Sequence, residues 1–150
     1  MKSYYVNKVV SGGQTGIDRM GLEVARVLGI QTRGIAPKGY LTENGPDESL
    51  RDFGLTEHTS SKYPPRTKAN VIQSDGTVLF GNVTVGGTKL TLDICLREGK
   101  PYIANPTAGE LRLWLIDNQI AVLNVAGNRA SQLTETQLDT YRQVLMEALA

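Results

Sequence analysis

Lys8-Val9-Val10-Ser11-Gly12-Gly13-Gln14-Thr15-Gly16-Ile17-Asp18-Arg19-Met20 is the stretch that sets the architecture. Its short β-branched run reads as a buried strand that passes straight into a glycine-rich turn. Ile17, Met20, Val24, Ala25, Val27 and Leu28 then recur at the spacing of a helix face, with Gly29 just past its end. Strand, glycine turn and helix make the first part of a βαβ unit, and a short strand over 31–35 completes it. Residues 36–61, with Pro37, Gly39 and Gly45-Pro46, read mostly as loop, with a small strand at 55–58. Pro65 suits a first helical turn, so 66–74 is a predicted helix, followed by a buried strand at 77–80 and a second glycine loop, Val85-Gly86-Gly87-Thr88.

The next segment has two readings. Leu90, Leu92, Ile94 and Leu96 alternate as in a strand, while Arg97 and Gly99 resemble a helix end; the alternation of strands and helices elsewhere favours the helix. A strand at 102–104, a capping box Thr107-x-x-Glu110 opening a helix to Asn118, a strand at 120–125, and a second box, Thr134-x-x-Gln137, opening a terminal helix complete the chain. Near-continuous apolar strands alternating with helices predict an α/β fold. It is a Rossmann-like, doubly wound, mostly parallel sheet with helices on both faces, forming one domain over residues 1–150.

Composition bounds the function. The 150 residues carry 16 Lys plus Arg against 15 Asp plus Glu, a net charge of +1, which disfavours nucleic-acid binding by bulk charge. No apolar run reaches the ~18 residues of a membrane span, and the opening Met1-Lys2-Ser3-Tyr4-Tyr5 lacks a leader's apolar stretch, so a cytoplasmic protein is expected. One Cys (Cys95) and one His (His58) exclude an intrachain disulfide and a Cys/His zinc cluster. Glycine stands out, at 16 residues.

Both glycine loops leave strands and open helices, where backbone N–H groups and the macrodipole favour an oxyanion. The crevice is expected between the first strand and the first strand of the second half. Named motifs help by failing. The first loop is G-G-x-x-G rather than G-x-G-x-x-G, and Arg33-Gly34-Ile35 stands where the ribose-binding acid of an NAD site belongs. In Gly81-x-x-x-x-Gly86-Gly87-Thr88, Gly87 replaces the lysine of a P-loop. Each feature also has a plain structural reading: glycines for turn geometry, Thr15 and Thr88 as N-caps, Asp18 as a dipole partner, and Arg19, Lys38 and Lys89 as solvated charges. Cys95 and Trp114 read as core, and His58 as a strand-end residue.

The blocks Ser11-Gly12-Gly13-Gln14-Thr15-Gly16-Ile17-Asp18-Arg19, Pro37-Lys38-Gly39, Arg66-Thr67-x-x-Asn70-Val71, Ser74-Asp75-Gly76-Thr77, Gly86-Gly87-Thr88-x-Leu90-Thr91 and Leu123-Asn124-Val125-Ala126-Gly127 together resemble the molybdenum cofactor carrier family, over nearly the whole chain. That family is similar in fold to the LOG and DprA-type proteins. The resemblance implies a homo-oligomer, dimer or tetramer, that binds and protects the molybdenum cofactor (molybdopterin) and hands it to insertion machinery or a molybdoenzyme. It implies no turnover, no metal ligands of the protein's own, no nucleic acid and no membrane. Carried over, it makes Gly12, Gly13, Gln14, Thr15, Gly16, Asp18 and Arg19 one cradle and Gly86, Gly87, Thr88 and Lys89 the other. Lys38, Asn70, Ser74 and Asp75 fall at the rim, and which cradle takes the phosphate is left open. After Gly127 the family tends to read P-R-E-S, whereas this chain has Asn128-Arg129-Ala130-Ser131, lacking the Glu.

The alternative is a LOG-like phosphoribohydrolase acting on nucleoside monophosphates. Such enzymes resemble P-G-G-x-G-T-x-x-E, and here Thr91 stands in place of the Glu, leaving Asp93 as the nearest carboxylate in sequence. A DprA-like single-stranded DNA module needs a basic, aromatic groove that this composition does not supply.

Overall fold

The strand expected at 8–10 is β1 (Lys8–Val10), and it sits near the centre of a six-stranded, wholly parallel sheet. The computed structural model describes residues 6–150; the five residues read for a leader lie outside it. In chain order the remaining elements are α1 (Ile17–Val27), β2 (Gln31–Ala36), a hairpin of β3 (Leu41–Thr42) and β4 (Gly45–Pro46), and β5 (Leu55–Glu57). They continue with α2 (Tyr63–Gln73), β6 (Gly76–Phe80), α3 (Gly86–Glu98), β7 (Tyr102–Ala104), α4 (Ala108–Asp117), β8 (Val122–Gly127) and α5 (Glu135–Leu149). A 3-10 helix, Glu48–Phe53, links the hairpin to β5, its start capped by Asp47.

The sheet order is β5-β2-β1-β8-β6-β7. This corrects the expected crevice: β6 does not lie beside β1, because the last strand, β8, pairs with both. Counted from β8 as first strand, the order becomes 4-3-2-1-5-6, a doubly wound succession whose winding reverses between β8 and β6. α5 packs against α1, where a crossover from β8 to β1 would run. The point at which loops splay to admit a ligand is therefore flanked by the turns after β8 and β6, with the turn after β1 one strand away.

Alternation along the strands divides the two faces. Val9, Val78, Phe80, Leu123 and Val125 pack against Ile17, Met20, Leu111, Leu115 and Leu145 of α1, α4 and α5, forming the main apolar core. Each such side chain contributes about 1.5–3 kcal/mol by leaving water. The opposite face, under α2 and α3, holds a smaller cluster of Val71, Ile94 and Cys95 beside a buried Asn124–Thr77 hydrogen bond of 3.2 Å. Burial pushes the Cys95 thiol pKa up, against a hydrogen bond with Thr77.

Element ends differ from expectation where local chemistry decides. Tyr63, Pro64 and Pro65 all fit in the first turn of α2, which thus starts earlier than residue 66. β8 starts later than residue 120, because Ile120 N–H still closes α4 on Leu115 O, and Asp75 Oδ2 accepts from Ala121 and Val122 N–H at 3.0 and 2.8 Å. The stretch over 36–61 is more ordered than the loop expected, since Leu22, Ala36, Tyr40, Leu50, Phe53 and Leu55 form a core of their own. Both capping boxes form as expected.

Candidate oxyanion site

The first glycine loop is largely buried, and its own chain takes up four of its amides. Gly13 N–H donates to Ser11 Oγ (3.2 Å), Gln14 N–H to Asp18 Oδ2 (3.3 Å), Thr15 N–H to Gln14 Oε1 (3.0 Å) and Ile17 N–H to Asn128 O (3.2 Å). The anion in this cradle is the carboxylate of Asp18, which also accepts from Arg66 Nη1 at 3.3 Å. Burial pushes the Asp18 carboxyl above the ordinary carboxylate range, opposed by the Arg66 charge and by bonds from the Gln14 and Gly127 N–H groups. Arg66 itself lies across Gly12, where a Cβ would fall on the guanidinium. Its Nε is the one buried side-chain nitrogen or oxygen without a hydrogen-bond partner among the described residues. Gly16 closes the loop at φ 84°, so near Asn128 O and Ala130 N that no side chain fits.

The second loop is the converse. The amides of Gly86, Gly87 and Thr88 open α3 and have no acceptor among the described residues, and space is clear beyond the Cα atoms of both glycines. Thr88 is buried, and its hydroxyl accepts from Asn128 Nδ2 at 3.1 Å. Asn128 also exchanges two bonds with the backbone of Asn82, at 2.6 and 3.2 Å, acting as a further rung between the ends of β8 and β6.

Between the loops is a cavity of about 50 Å³, lined by Gln14 and Asp18 on one side, Gly87, Thr88 and Thr91 on another, and Arg66 and Arg129. That volume admits a few waters or one small oxyanion, and not a pterin. Asp18 is the only carboxylate in its lining among the described residues. Arg129 forms no ion pair among them.

The structure brings together Gln14, Asp18, Gly87 and Thr88, with Gly12 beneath Arg66 and Thr15 at the neighbouring edge. Gly86 adjoins Gly87 at the start of α3, just outside the lining, Gly13 and Gly16 stay within the first loop, and the other candidates lie elsewhere. Arg19 ties α1 to the 3-10 helix through Asp47 (3.1 Å) and Ser49 (2.7 Å). Lys89 is half exposed and paired with Asp93 at 2.7 Å, which also takes Asp93 away from the cavity. Lys38 is exposed. The amide side chain of Asn70 pairs with the backbone N–H and C=O of Ile35, both at 2.9 Å, pinning α2 to β2. Ser74 and Asp75 precede β6, and so lie at the amino ends of the strands, across the sheet from the cavity.

Arg66 and Arg129 line the cavity and Glu43 bonds to its edge at Gln14, and none of the three is among the residues the sequence nominates. Arg66 and Arg129 stand within or beside the shared blocks, as cations among glycines and small polar residues, which is a pattern the sequence displays. Glu43, at the tip of the β3–β4 hairpin, stands in no such pattern. Burial acts to raise its carboxyl pKa, but bonds from Ser131 Oγ–H, the Thr15 hydroxyl and Ser131 N–H, together with the Arg129 charge, outweigh that and hold it below the ordinary 4.5.

The family model described as the circularly permutated YpsA SLOG family matches residues 9–149. The chain belongs to this family. The permutation is visible in the sheet, where the last βα unit of the chain fills the position of a first one. A crystal structure named "Putative molybdenum carrier protein", from Syntrophus aciditrophicus SB, is similar over 99% of this chain and 95% of its own, at 32% identity and a TM-score of 0.82. (E)-4-Hydroxy-3-methyl-but-2-enyl diphosphate reductase is matched at 12% identity and a TM-score of 0.42, over 97% of this chain and 60% of that one. No curated protein sequence matches. Among the described residues no helix is long and apolar enough to cross a membrane, and no group of three or more His, Cys, Asp or Glu is placed to hold a metal.

Proposed function

We propose that this chain binds the molybdenum cofactor as cargo and holds it without turnover, seating one oxyanionic end at the amino terminus of α3. The observation that carries this reading is the trio of unpartnered amides at Gly86, Gly87 and Thr88, beside a cavity flanked by Arg66 and Arg129. A phosphate there meets N–H donors, the positive end of a 13-residue helix and two guanidinium groups. The likeness to a protein named as a molybdenum carrier supports the choice of cargo. The cavity's volume limits what enters it to the oxyanion, so the pterin lies outside, along the rim. The first loop, with Asp18 bonded to its own Gln14 amide and to Arg66, then serves as a wall of the cavity. In this reading the loaded protein delivers its cargo in the cytoplasm to insertion machinery or an apoenzyme.

The test is to extract the small molecule from freshly isolated protein and to incubate the protein with nucleoside monophosphates. The reading predicts a molybdopterin in the extract and no released base. Base release with turnover would overturn it in favour of the hydrolase.

A further inference from the structure

The Glu43 carboxylate collects donors from two segments outside its own hairpin. Its Oε2 accepts from the Thr15 hydroxyl and from Ser131 N–H (3.2 Å), and its Oε1 accepts from Ser131 Oγ–H at 2.5 Å. Arg129 contributes positive charge at the same point. Two hydroxyls, an amide and a nearby guanidinium converging on one carboxylate are also the donor set that grips a phosphate or an oxo-anion.

Two further observations set this arrangement apart from ordinary packing. β3 and β4 pair with each other and with no strand of the main sheet, so lifting the hairpin breaks the Glu43 N–H bond to Gln14 Oε1 (2.9 Å) but no rung of that sheet. The donors also adjoin the cavity, since Gln14, next to Thr15, and Gln132, next to Ser131, line it together with Arg129.

We infer that Thr15, Ser131 and Arg129 form a second oxyanion subsite, in which the Glu43 carboxylate is an internal stand-in that an anionic group of the ligand displaces. Loading then exchanges one anion for another: the hairpin lifts, the donors turn to the ligand, and the cavity extends toward the hairpin. When the ligand leaves, Glu43 returns and pairs the donors again. The inference rests on the proposed function only in taking the cargo to be anionic at both ends.

Calorimetric titration with inorganic phosphate, and separately with molybdate, tests it on the wild-type chain, on Glu43→Gln, which keeps the side chain's shape, and on Glu43→Ala. For at least one ion, both variants should show a second binding event or an affinity about tenfold higher, with the Ser131 amide resonance moving on titration. Adding Thr15→Val and Ser131→Ala to Glu43→Ala should abolish the gain. The ion with the larger gain identifies which end of the cargo occupies the subsite. If the folded Glu43→Gln protein binds both ions as the wild type does, Glu43 is only a structural clasp and the inference is overturned. Loss of folding in Glu43→Ala alone would leave Glu43→Gln to decide. Cofactor retention by the wild-type protein, measured separately, judges the carrier reading on its own.

Discussion

The two glycine loops look alike in sequence and differ in the state of their donors. The loop after β1 is buried and has already found an anion: Asp18 accepts from Gln14 N–H, and Ser11, Gln14 and Asn128 accept from the Gly13, Thr15 and Ile17 amides. The loop before α3 is exposed at Gly86 and Gly87 and leaves three amides unpaired. A glycine-rich turn at a helix start supplies donors, but an external ligand is called for only where the chain has not filled them. The sheet order agrees, since the winding reverses between β8 and β6 and the open loop leaves β6.

The largest effects separating the loops concern stability. Asp18→Ala leaves Arg66, only 12% exposed, without its counter-charge, and should cost about 3 kcal/mol in urea unfolding. Gly16→Ala meets both a positive φ and the backbone of Asn128 and Ala130, and should cost about 2–3 kcal/mol. Gly87→Ala, with open space at its Cα, should lose well under 1 kcal/mol. An equal loss at Gly16 and Gly87 would erase the distinction.

An intermediate effect is expected on binding. Arg129→Ala should weaken cofactor retention by about tenfold or more, as a lost charge-assisted bond, with little change in unfolding. Unchanged retention would remove that side chain from the site.

Acid sharpens the comparison, because the two carboxylates titrate in opposite senses. Glu43 is held below 4.5 in the folded protein, so its contribution to stability is complete above 4.5 and is lost as pH falls through the lower, folded value. Asp18 is raised above 3.8, so the folded state binds its proton more tightly than the unfolded chain. That gives a gain in stability as pH falls through the raised value toward 3.8. Urea midpoints followed downward in pH should therefore lose an acid-side decline in Glu43→Gln and lose an acid-side gain in Asp18→Asn. The reverse assignment would contradict the burial argument.

The smallest effect is expected at Lys89. Its partner is Asp93, one helical turn on, at an exposed site, so Lys89→Ala should cost about 0.3–0.5 kcal/mol and leave cofactor retention unchanged.

Most of the fold was legible because it is written locally. The alternation of apolar strands with helix-spaced stripes placed β1, α1, β6 and α3, and the Thr107–Glu110 and Thr134–Gln137 pairs fixed two helix starts to the residue. The place of β8 was not legible, since pairing with both β1 and β6 depends on contacts far apart in sequence. The site was legible only as a neighbourhood. Gln14, Asp18, Gly87 and Thr88 do share one cavity, but the string of residues 11–19 does not say that Asp18 folds back onto its own loop. Nor does it say that Glu43, 28 residues beyond Thr15, accepts from its hydroxyl.

The backbone amide resonances of the wild-type protein during titration with inorganic phosphate test the central claim most directly. The account predicts that Gly86, Gly87 and Thr88 move at the lowest concentrations while Gly13, Gln14 and Ile17 stay in place. Movement of the residues 13–17 first, with the start of α3 unaffected, would contradict it.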